Sequence, residues 1–283
     1  MGWGIALSLL PAIALFSAFF VLPLGVVGVT SLADWGPLEF AFSGLENYRL
    51  LFSDGTFWAA LKNTAFFGVA AACVQVPVGV ALAVILSQRF RGWSVLRTVY
   101  FLPNIVSAAA LALVYVTFYN PRYGLLNQLL AVFGSDGTRD WLFDVDTALP
   151  AVAATWVFTA GLVMILVMAE IAAIPPEIYA AARVDGASQW QVTRFITLPL
   201  LRNIIGVNLI LVLLFSLAYF DGVYVMTGGG PADRTLTLSL YAFQEYSNSN
   251  WGYANAIGML LIALGVLVII GVRRAFRLGE RDS

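Results

Sequence analysis

The sequence predicts an all-α integral membrane protein, and three of its properties support that prediction. Hydrophobic residues fill 60% of the 283 positions, charged residues only 11%, and the mean hydropathy is +0.86. These values lie outside the range of ordinary soluble domains. The charged residues are confined to short segments that separate six long uncharged runs. The third property is a polar segment between the fourth and fifth runs that contains prolines and glycine.

Each uncharged run is long enough to cross a bilayer as one helix, because the hydrocarbon layer requires about 20 apolar residues, with a range of roughly 17–25. The runs occupy 1–33, 63–88, 98–121, 147–169, 203–220 and 246–272. We predict six spanning helices near 5–32, 64–87, 98–119, 148–169, 200–220 and 253–272. A cleaved signal peptide is the alternative for the first run. Its apolar core follows no lysine or arginine and exceeds the roughly 7–15 residues of such a peptide, which favours a retained helix.

Several kinds of site are excluded by residues that the sequence lacks. It has no histidine, which excludes His-based metal sites and Ser-His nucleophilic pairs. Its one cysteine, Cys73, has no partner for a disulfide. Its one lysine, Lys62, follows no glycine-rich segment, so no P-loop is present. We therefore predict no metal, no cofactor, no nucleic-acid partner and no enzymatic activity in this chain.

The positions of arginine and lysine predict the orientation in the membrane. When the loops are sorted alternately, ten basic residues fall on one side: Arg89, Arg91, Arg97, Arg183, Arg194, Arg202, Arg273, Arg274, Arg277 and Arg281. Five fall on the other: Arg49, Lys62, Arg122, Arg139 and Arg234. Short cytoplasmic loops are enriched in basic residues, so the first group is predicted to lie inside, with both termini in the cytoplasm. The polar segment between the fourth and fifth runs then also lies in the cytoplasm.

The local chemistry of this segment predicts a helix, a sharp turn and a second helix. Pro176 suits a first helical turn, and Glu177 suits a helix N-terminus. Gly186 is able to end the helix in the left-handed conformation. Ser188 with Gln191 three residues later matches a capping box, which predicts the second helix. Pro199 is expected at the beginning of the fifth membrane helix.

The spacing within this hairpin resembles the cytoplasmic loop of permease subunits of binding-protein-dependent ABC importers. That loop reads Glu-Ala-Ala, three residues, Gly, nine residues, then Ile-x-Leu-Pro, and both spacings are kept here. The sequence departs from the pattern at Ala180, where the family usually has glutamate. The resemblance implies a coupling helix that contacts the ATP-binding subunit through Glu177, Ala180, Ala181, Ala182, Arg183, Asp185, Gly186, Ala187, Ile196, Leu198 and Pro199. An ordinary cytoplasmic hairpin without a partner is the alternative.

Other segments resemble the carbohydrate-uptake branch of that family, which includes maltose- and glycerol-phosphate-type permeases. They are Gly44-Leu45-Glu46-Asn47-Tyr48, Asn63-Thr64, Phe101-Leu102-Pro103, and Asn120 to Gly124. The loop Thr227-Gly228-Gly229-Gly230-Pro231 resembles the outer loop that faces the binding protein, although a flexible turn explains the same residues. An interfacial belt likewise explains the aromatic residues of the first outer loop.

The resemblance implies the fold and the partners. The fold is that of a type I ABC importer permease, with a first helix and outer loop at 1–63 and a core at 64–283 that includes the coupling loop 170–199. The implied partners are two ATP-binding subunits, a second homologous permease subunit, an extracytoplasmic solute-binding protein and membrane lipid. The implied location is a bacterial or archaeal plasma membrane.

The substrate is less defined than the fold. An uncharged bundle suits a neutral, hydroxyl-rich solute such as a sugar, and Gln75, Asn104, Tyr115 and Tyr119 are candidates for the pathway. Each is also explained as a packing residue. Glycerol phosphate-type solutes stay open, because close relatives transport them. An ion-coupled secondary transporter is the alternative from another class, although the interiors of the runs hold no ionisable carboxylate or base.

Overall fold

The protein is described by a computed structural model that covers residues 2–134 and 138–279. Arg281, one of the ten residues that set the predicted orientation, lies outside the described residues. A short antiparallel hairpin is formed by β1 (Ala33–Trp35) and β2 (Phe40–Phe42), with Ala33 opposite Phe42. The helices are α1 (2–30), α2 (Glu46–Ser53), α3 (Gly55–Ser87), α4 (Trp93–Asn104), α5 (Ala108–Phe118), α6 (Leu125–Val132), α7 (Ala148–Ala173), α8 (Pro176–Val184), α9 (Gln189–Leu200), α10 (Arg202–Leu217), α11 (Asp221–Met226), α12 (Leu238–Ser247) and α13 (Trp251–Phe276).

The predicted all-α class is confirmed, and the six spans are recovered when two bent helix pairs each count as one. In the part of the chain that the structure describes, four helices, α1, α3, α7 and α13, are long and apolar enough to cross a membrane without a break. The pairs α4–α5 and α9–α10 reach the required length only together, and they bend by 101° and 64°.

The predicted third span, 98–119, is wrong as a continuous helix. The chain turns between α4 and α5, where Pro103 lies in a short 3₁₀ turn that ends at Asn104. Ser107 is extended and accepts a hydrogen bond from the backbone N–H of Ala110, which begins a new helix. The uncharged run does not reveal this bend, because hydropathy measures composition and not direction.

The predicted fifth span is also corrected. Pro199 does not begin that helix but lies near the C-terminal end of α9, two residues before the bend at Leu201. Because α9 starts within the polar hairpin at Gln189, the hairpin and the membrane segment are joined by continuous helix as far as Leu200.

Three prolines inside long helices are each preceded by a widened π turn. The turns Ser17–Val21, Ala71–Gln75 and Thr193–Thr197 end two residues before Pro23, Pro77 and Pro199. Proline has no backbone N–H, and its ring clashes with the carbonyl of residue i−4, so the preceding turn widens while the helix continues. The turn Ala71–Gln75 determines the direction of the Gln75 side chain, which lines the cavity described below.

The core lies between α3, α7, α10 and α13, where Phe67, Leu86, Met164, Leu201 and Ile257 are almost completely buried. By contrast, the apolar window of α1 has no buried residue, and the helix is anchored to α13 by a 2.8 Å hydrogen bond from Asn255 to Thr30. An apolar helix with so little contact to its own chain is expected to face lipid or another subunit.

Candidate functional site

A cavity of about 460 Å³ lies between α3, the α4–α5 bend, α7, α10 and α11. Its wall combines aromatic rings with amide, hydroxyl and carboxylate groups. The polar members are Gln75, Asn104, Thr155, Thr159, Asn208 and Asp221, and the aromatic members are Phe101, Tyr115, Trp156, Phe215, Tyr219 and Phe220. Gln75, Asn104 and Tyr115 were predicted from the sequence, and the fold brings these three together.

Gln75 reaches the cavity because it ends the π turn caused by Pro77. Its side-chain nitrogen donates to the carbonyl and to the hydroxyl oxygen of Thr159, at 3.0 Å each. Thr159 in turn ends a 3₁₀ turn, Thr155–Thr159, within α7. Two irregular helical turns therefore face each other, and each directs a polar group into an otherwise apolar bundle.

The bend between α4 and α5 supplies Asn104. The helix α7 approaches this bend so closely that a Cβ at Gly161 would overlap the carbonyl oxygen of Tyr100. The side-chain nitrogen of Asn104 is 3.4 Å from the Tyr100 carbonyl, at the limit of a hydrogen bond. Asn104 is exposed, so its amide is available to a solute in the cavity.

The aromatic wall is arranged around Tyr219. Its ring meets Trp156 edge to face at 4.7 Å, and Phe67 packs against both rings from the core side. Tyr115, on the facing helix, donates to the carbonyl of Thr155 at 3.3 Å. Such walls suit sugar rings, whose C–H faces pack against aromatic rings while their hydroxyls bind amides and hydroxyls.

Tyr119 does not line this cavity. It is buried, with 6% of its surface exposed, and its hydroxyl donates to the carbonyl of Ala151 at 2.9 Å. The structure therefore places Tyr119 in the packing between α5 and α7, and we leave it out of the proposed pathway.

Sequence reasoning missed most of the cavity residues, and five of them are Trp156, Thr159, Asn208, Tyr219 and Asp221. Two of them had a usable signal, because Asn208 is a polar residue inside an uncharged run and Asp221 is a carboxylate at the end of one. The other three gave none, since threonine and aromatic residues are common in any membrane helix.

The loop from Thr227 to Thr237 and the hairpin lie at opposite ends of α10, and hydrogen bonds hold the loop in place. Gly228 and Gly229 have positive φ angles of 62° and 94°. The hydroxyl of Thr235 lies 2.7 Å from that of Thr227 and donates to the carbonyl of Gly230 at 2.8 Å. From α3, the side chain of Asn63 donates to the carbonyls of Asp233 and Leu236 at 2.8 and 3.0 Å. These hydrogen bonds connect the loop internally and to α3, and the binding-protein-facing role of Gly228, Gly229, Gly230 and Pro231 stays a prediction.

A carboxylate joins three helices at the same end of the bundle. Asp54 caps α3, and it accepts hydrogen bonds from the hydroxyls of Tyr241 on α12 and Tyr253 on α13. Burial on its own would raise the pKa of Asp54, but the hydrogen bonds from Tyr241, the Thr56 N–H and Tyr253 outweigh it and lower that pKa. The ionised carboxylate is thus the form that the fold stabilises.

The hairpin has the predicted conformation. Helix α8 begins at Pro176 with Glu177 in its first turn, and Gly186 follows its end with φ of +76°. The N–H groups of Gly186 and Ala187 bond to the carbonyls of Arg183 and Ala182, which is a Schellman C-cap. The capping box between Ser188 and Gln191 is complete on both sides.

The hairpin exposes most of the residues predicted to contact a partner. Glu177, Ala180, Ala181, Arg183, Asp185, Gly186 and Pro199 are exposed; Ala187, Ile196 and Leu198 are half-buried; Ala182 is buried. Several apolar side chains that were not predicted are also exposed, among them Val184 at 87%, Phe195 at 68% and Trp190 at 66%. Small and apolar residues on a polar hairpin form a surface suited to a protein groove.

Comparison with known proteins identifies the family to which this arrangement belongs. Residues 75–277 match the family described as binding-protein-dependent transport system inner membrane component. The chain belongs to this family. The match includes Gln75 at one end, the whole hairpin, and every cavity residue.

Individual permeases of the family are similar along nearly the whole chain. The probable ABC transporter permease protein YurN of Bacillus subtilis is 34% identical, covering 98% of this chain and 97% of its own. The trehalose/maltose transport system permease protein MalF of Thermococcus litoralis is 34% identical over 91% of this chain and 88% of its own. The lactose transport system permease protein LacF of Rhizobium radiobacter is 36% identical over 86% and 82%.

Among solved structures, the fold is similar to a chain of a bacterial ABC transporter involved in the import of the acidic polysaccharide alginate. The TM-score is 0.85 at 24% identity, covering 99% of this chain and 96% of that one. This similarity confirms the predicted type I importer permease fold. Membership in the family decides against the ion-coupled secondary transporter. This chain is thus a multi-pass permease subunit of the membrane.

Proposed function

We propose that this permease forms half of the pathway for a neutral sugar. The observation that supports this most directly is the cavity, in which Trp156 and Tyr219 form an aromatic wall beside the amides of Gln75 and Asn104. The names of the similar permeases from Thermococcus litoralis and Rhizobium radiobacter agree with a sugar. Of the sequence-predicted residues, Gln75, Asn104 and Tyr115 are retained as members of the pathway.

Glycerol phosphate is a less suitable solute. Among the described residues, no lysine or arginine lines the cavity, and Asp221 adds a carboxylate. A phosphate would enter without a cationic partner and beside a like charge, which disfavours binding in a space of low dielectric constant. The same argument applies to other anionic solutes.

The proposed transporter contains two ATP-binding subunits, a second permease and a solute-binding protein, and its ATP hydrolysis takes place outside this chain. The hairpin 177–199 is proposed to contact the ATP-binding subunit in the cytoplasm of a bacterium or archaeon, with both termini on the same side. The small residues Ala180 and Ala181 allow close approach of a partner's backbone, and Ala180 supplies no charge where the family usually has glutamate.

The loop from Thr227 to Thr237 is proposed to face the solute-binding protein. This placement follows from the orientation, because the loop and the hairpin lie at opposite ends of α10. Its bonds to α3 through Asp233 and Leu236, and its internal bond from Thr235 to Gly230, support a preformed surface that includes Gly228, Gly229, Gly230 and Pro231.

The test is transport by the complete complex in proteoliposomes, with ATP enclosed and the solute-binding protein outside. The probes are radiolabelled maltose, lactose, diacetylchitobiose and glycerol 3-phosphate. We expect at least one sugar to accumulate in an ATP-dependent manner, and this accumulation should be insensitive to ionophores. Glycerol 3-phosphate should not accumulate. Uptake of glycerol 3-phosphate alone, or uptake driven by an ion gradient without ATP, would overturn the proposal.

A further inference from the structure

Tyr219 lies where the cavity and the loop 227–237 meet. Its ring lines the cavity, while its backbone carbonyl accepts a 2.9 Å hydrogen bond from the hydroxyl of Thr237. Thr237 is completely buried. A residue at the end of the loop thus contacts the backbone of a residue in the cavity wall.

The loop is a suitable element for passing on a displacement, because its internal bonds make it one unit. Thr235 bonds to Thr227 and Gly230 inside the loop, and both Thr235 and Leu236 are almost completely buried. The exposed residues of the loop are Gly228 and the adjacent residues Ala232, Asp233 and Arg234. A partner that presses on these residues has to move the buried part with them, because breaking buried hydrogen bonds is costly.

The ring of Tyr219 has little freedom of its own. Trp156 and Phe67 pack against it edge to face at 4.7 and 5.4 Å. On another side the ring lies over Gly222, where a Cβ would overlap the tyrosine hydroxyl. With the side chain confined in this way, displacement of its backbone is the direct way to move the ring.

We propose that Thr237 is a positioning residue that couples the loop to Tyr219, so that docking of the solute-binding protein adjusts the sugar-binding wall. The inference rests on the proposed function of the cavity and of the loop. It assigns a role to a hydroxyl that contacts neither the sugar nor the binding protein.

The kinetic test uses three variants of the complete transporter and the sugar that the wild type accumulates in the uptake panel. Thr237→Val removes the hydroxyl, and Thr237→Ser keeps it. Ser239→Ala is the matched control, because Ser239 makes an equivalent 2.7 Å bond from α12 to the carbonyl of Leu217, which does not line the cavity. For Thr237→Val we expect the KM for uptake to rise about three- to tenfold, the equivalent of one hydrogen bond. The two other variants are expected to stay within about twofold of wild type.

Loss of the same hydroxyl also removes a helix cap, since it accepts from the N–H of Leu240 at 3.3 Å. A purely structural effect would lower the melting temperature and the amount of assembled transporter while leaving KM unchanged. That outcome, or a similar rise of KM in Ser239→Ala, would overturn the proposal.

A spectroscopic test covers the case in which Thr237→Val does not assemble. Fluorotyrosine is placed at position 219, and its ¹⁹F resonance is recorded before and after addition of sugar-free solute-binding protein. We expect a shift in the wild type that is preserved in Thr237→Ser and altered in Gly222→Ala, which repositions the same ring. A resonance that does not respond in the wild type contradicts the coupling. A wild type that transports no sugar contradicts the proposed function instead.

Discussion

The side-chain amide of Gln75 bridges 84 positions of sequence to bind both oxygens of Thr159, at 3.0 Å each. This pair joins a π turn in α3 to a 3₁₀ turn in α7. Neither residue belongs to the regular parts of its helix, and both line the cavity. This part of the cavity, which we propose as the pathway, thus lies where the helices depart from ideal geometry and polar groups are able to point inward.

Replacement of Gln75 tests the polar part of the pathway. Gln75→Leu keeps the size of the side chain but removes the amide, and we expect uptake at low sugar concentration to fall about three- to tenfold. Val74→Leu is the control, because Val74 is exposed and does not line the cavity. Equal uptake by both variants, at equal protein levels, would exclude Gln75 from the pathway.

The close approach of α7 to the α4–α5 bend predicts a stability effect. In Gly161→Ala the new methyl group overlaps the carbonyl of Tyr100, so we expect a loss of about 1–3 kcal/mol. Gly258→Ala in α13 is the control, because nothing lies within 4 Å of a Cβ there. Thermal melting in detergent compares the two variants. A melting temperature that is unchanged in Gly161→Ala would show that the helices yield at this contact.

Because Gly186 has a left-handed backbone and open space around it, the effect of a substitution there should depend on whether the new residue tolerates positive φ, and not on its size. Gly186→Val places a β-branched residue at φ of +76°, which costs about 1–3 kcal/mol if the conformation persists. Gly186→Asn is expected to be tolerated, since asparagine adopts this conformation more readily. Membrane insertion should be normal in both, whereas Gly186→Val should lose transport and co-purification of the ATP-binding subunit. Normal uptake by Gly186→Val would remove the mechanical role of the hairpin.

Ala180→Glu should be tolerated, because it restores the residue that the family usually has at this position.

The lowered pKa of Asp54 predicts a pH dependence of stability. A carboxylate whose pKa is lower in the folded state stabilises the fold above its ordinary value of 3.8, and that contribution disappears as pH falls through the lower, folded-state value. Asp54→Asn should therefore be less stable than wild type at pH 7 by about 1–2 kcal/mol. The difference should shrink below pH 3.8. Melting curves at several pH values check this, and a difference that is constant with pH would contradict it.

Reporter fusions test the orientation that places the hairpin in the cytoplasm. Fusions after Ser53, Thr138 and Asn250 should report the outside, and fusions after Arg91, Gly186 and Arg281 the inside. The arginine distribution is the physical reason. Reversal at two or more positions would place the hairpin on the wrong side for an ATP-binding subunit.

Local chemistry in the sequence was sufficient for the hairpin. The cap of α8, the left-handed Gly186 and the Ser188–Gln191 box depend on neighbours within six residues, so a short pattern predicts them. Uncharged runs were likewise sufficient to locate the six apolar segments, four of which are unbroken helices and two of which are bent pairs, because the bilayer imposes the same length on each.

By itself, the sequence determined the all-α membrane class, the six segments and the conformation of the hairpin. Only the tertiary structure decided which residues share the cavity. It brought Gln75 to Thr159 and Trp156 to Tyr219, moved Tyr119 into the packing and turned the third segment by 101°. The physical reason is that hydropathy and capping act along the chain. The direction of a side chain in a bundle instead depends on prolines that widen a helix and on contacts between residues tens of positions apart.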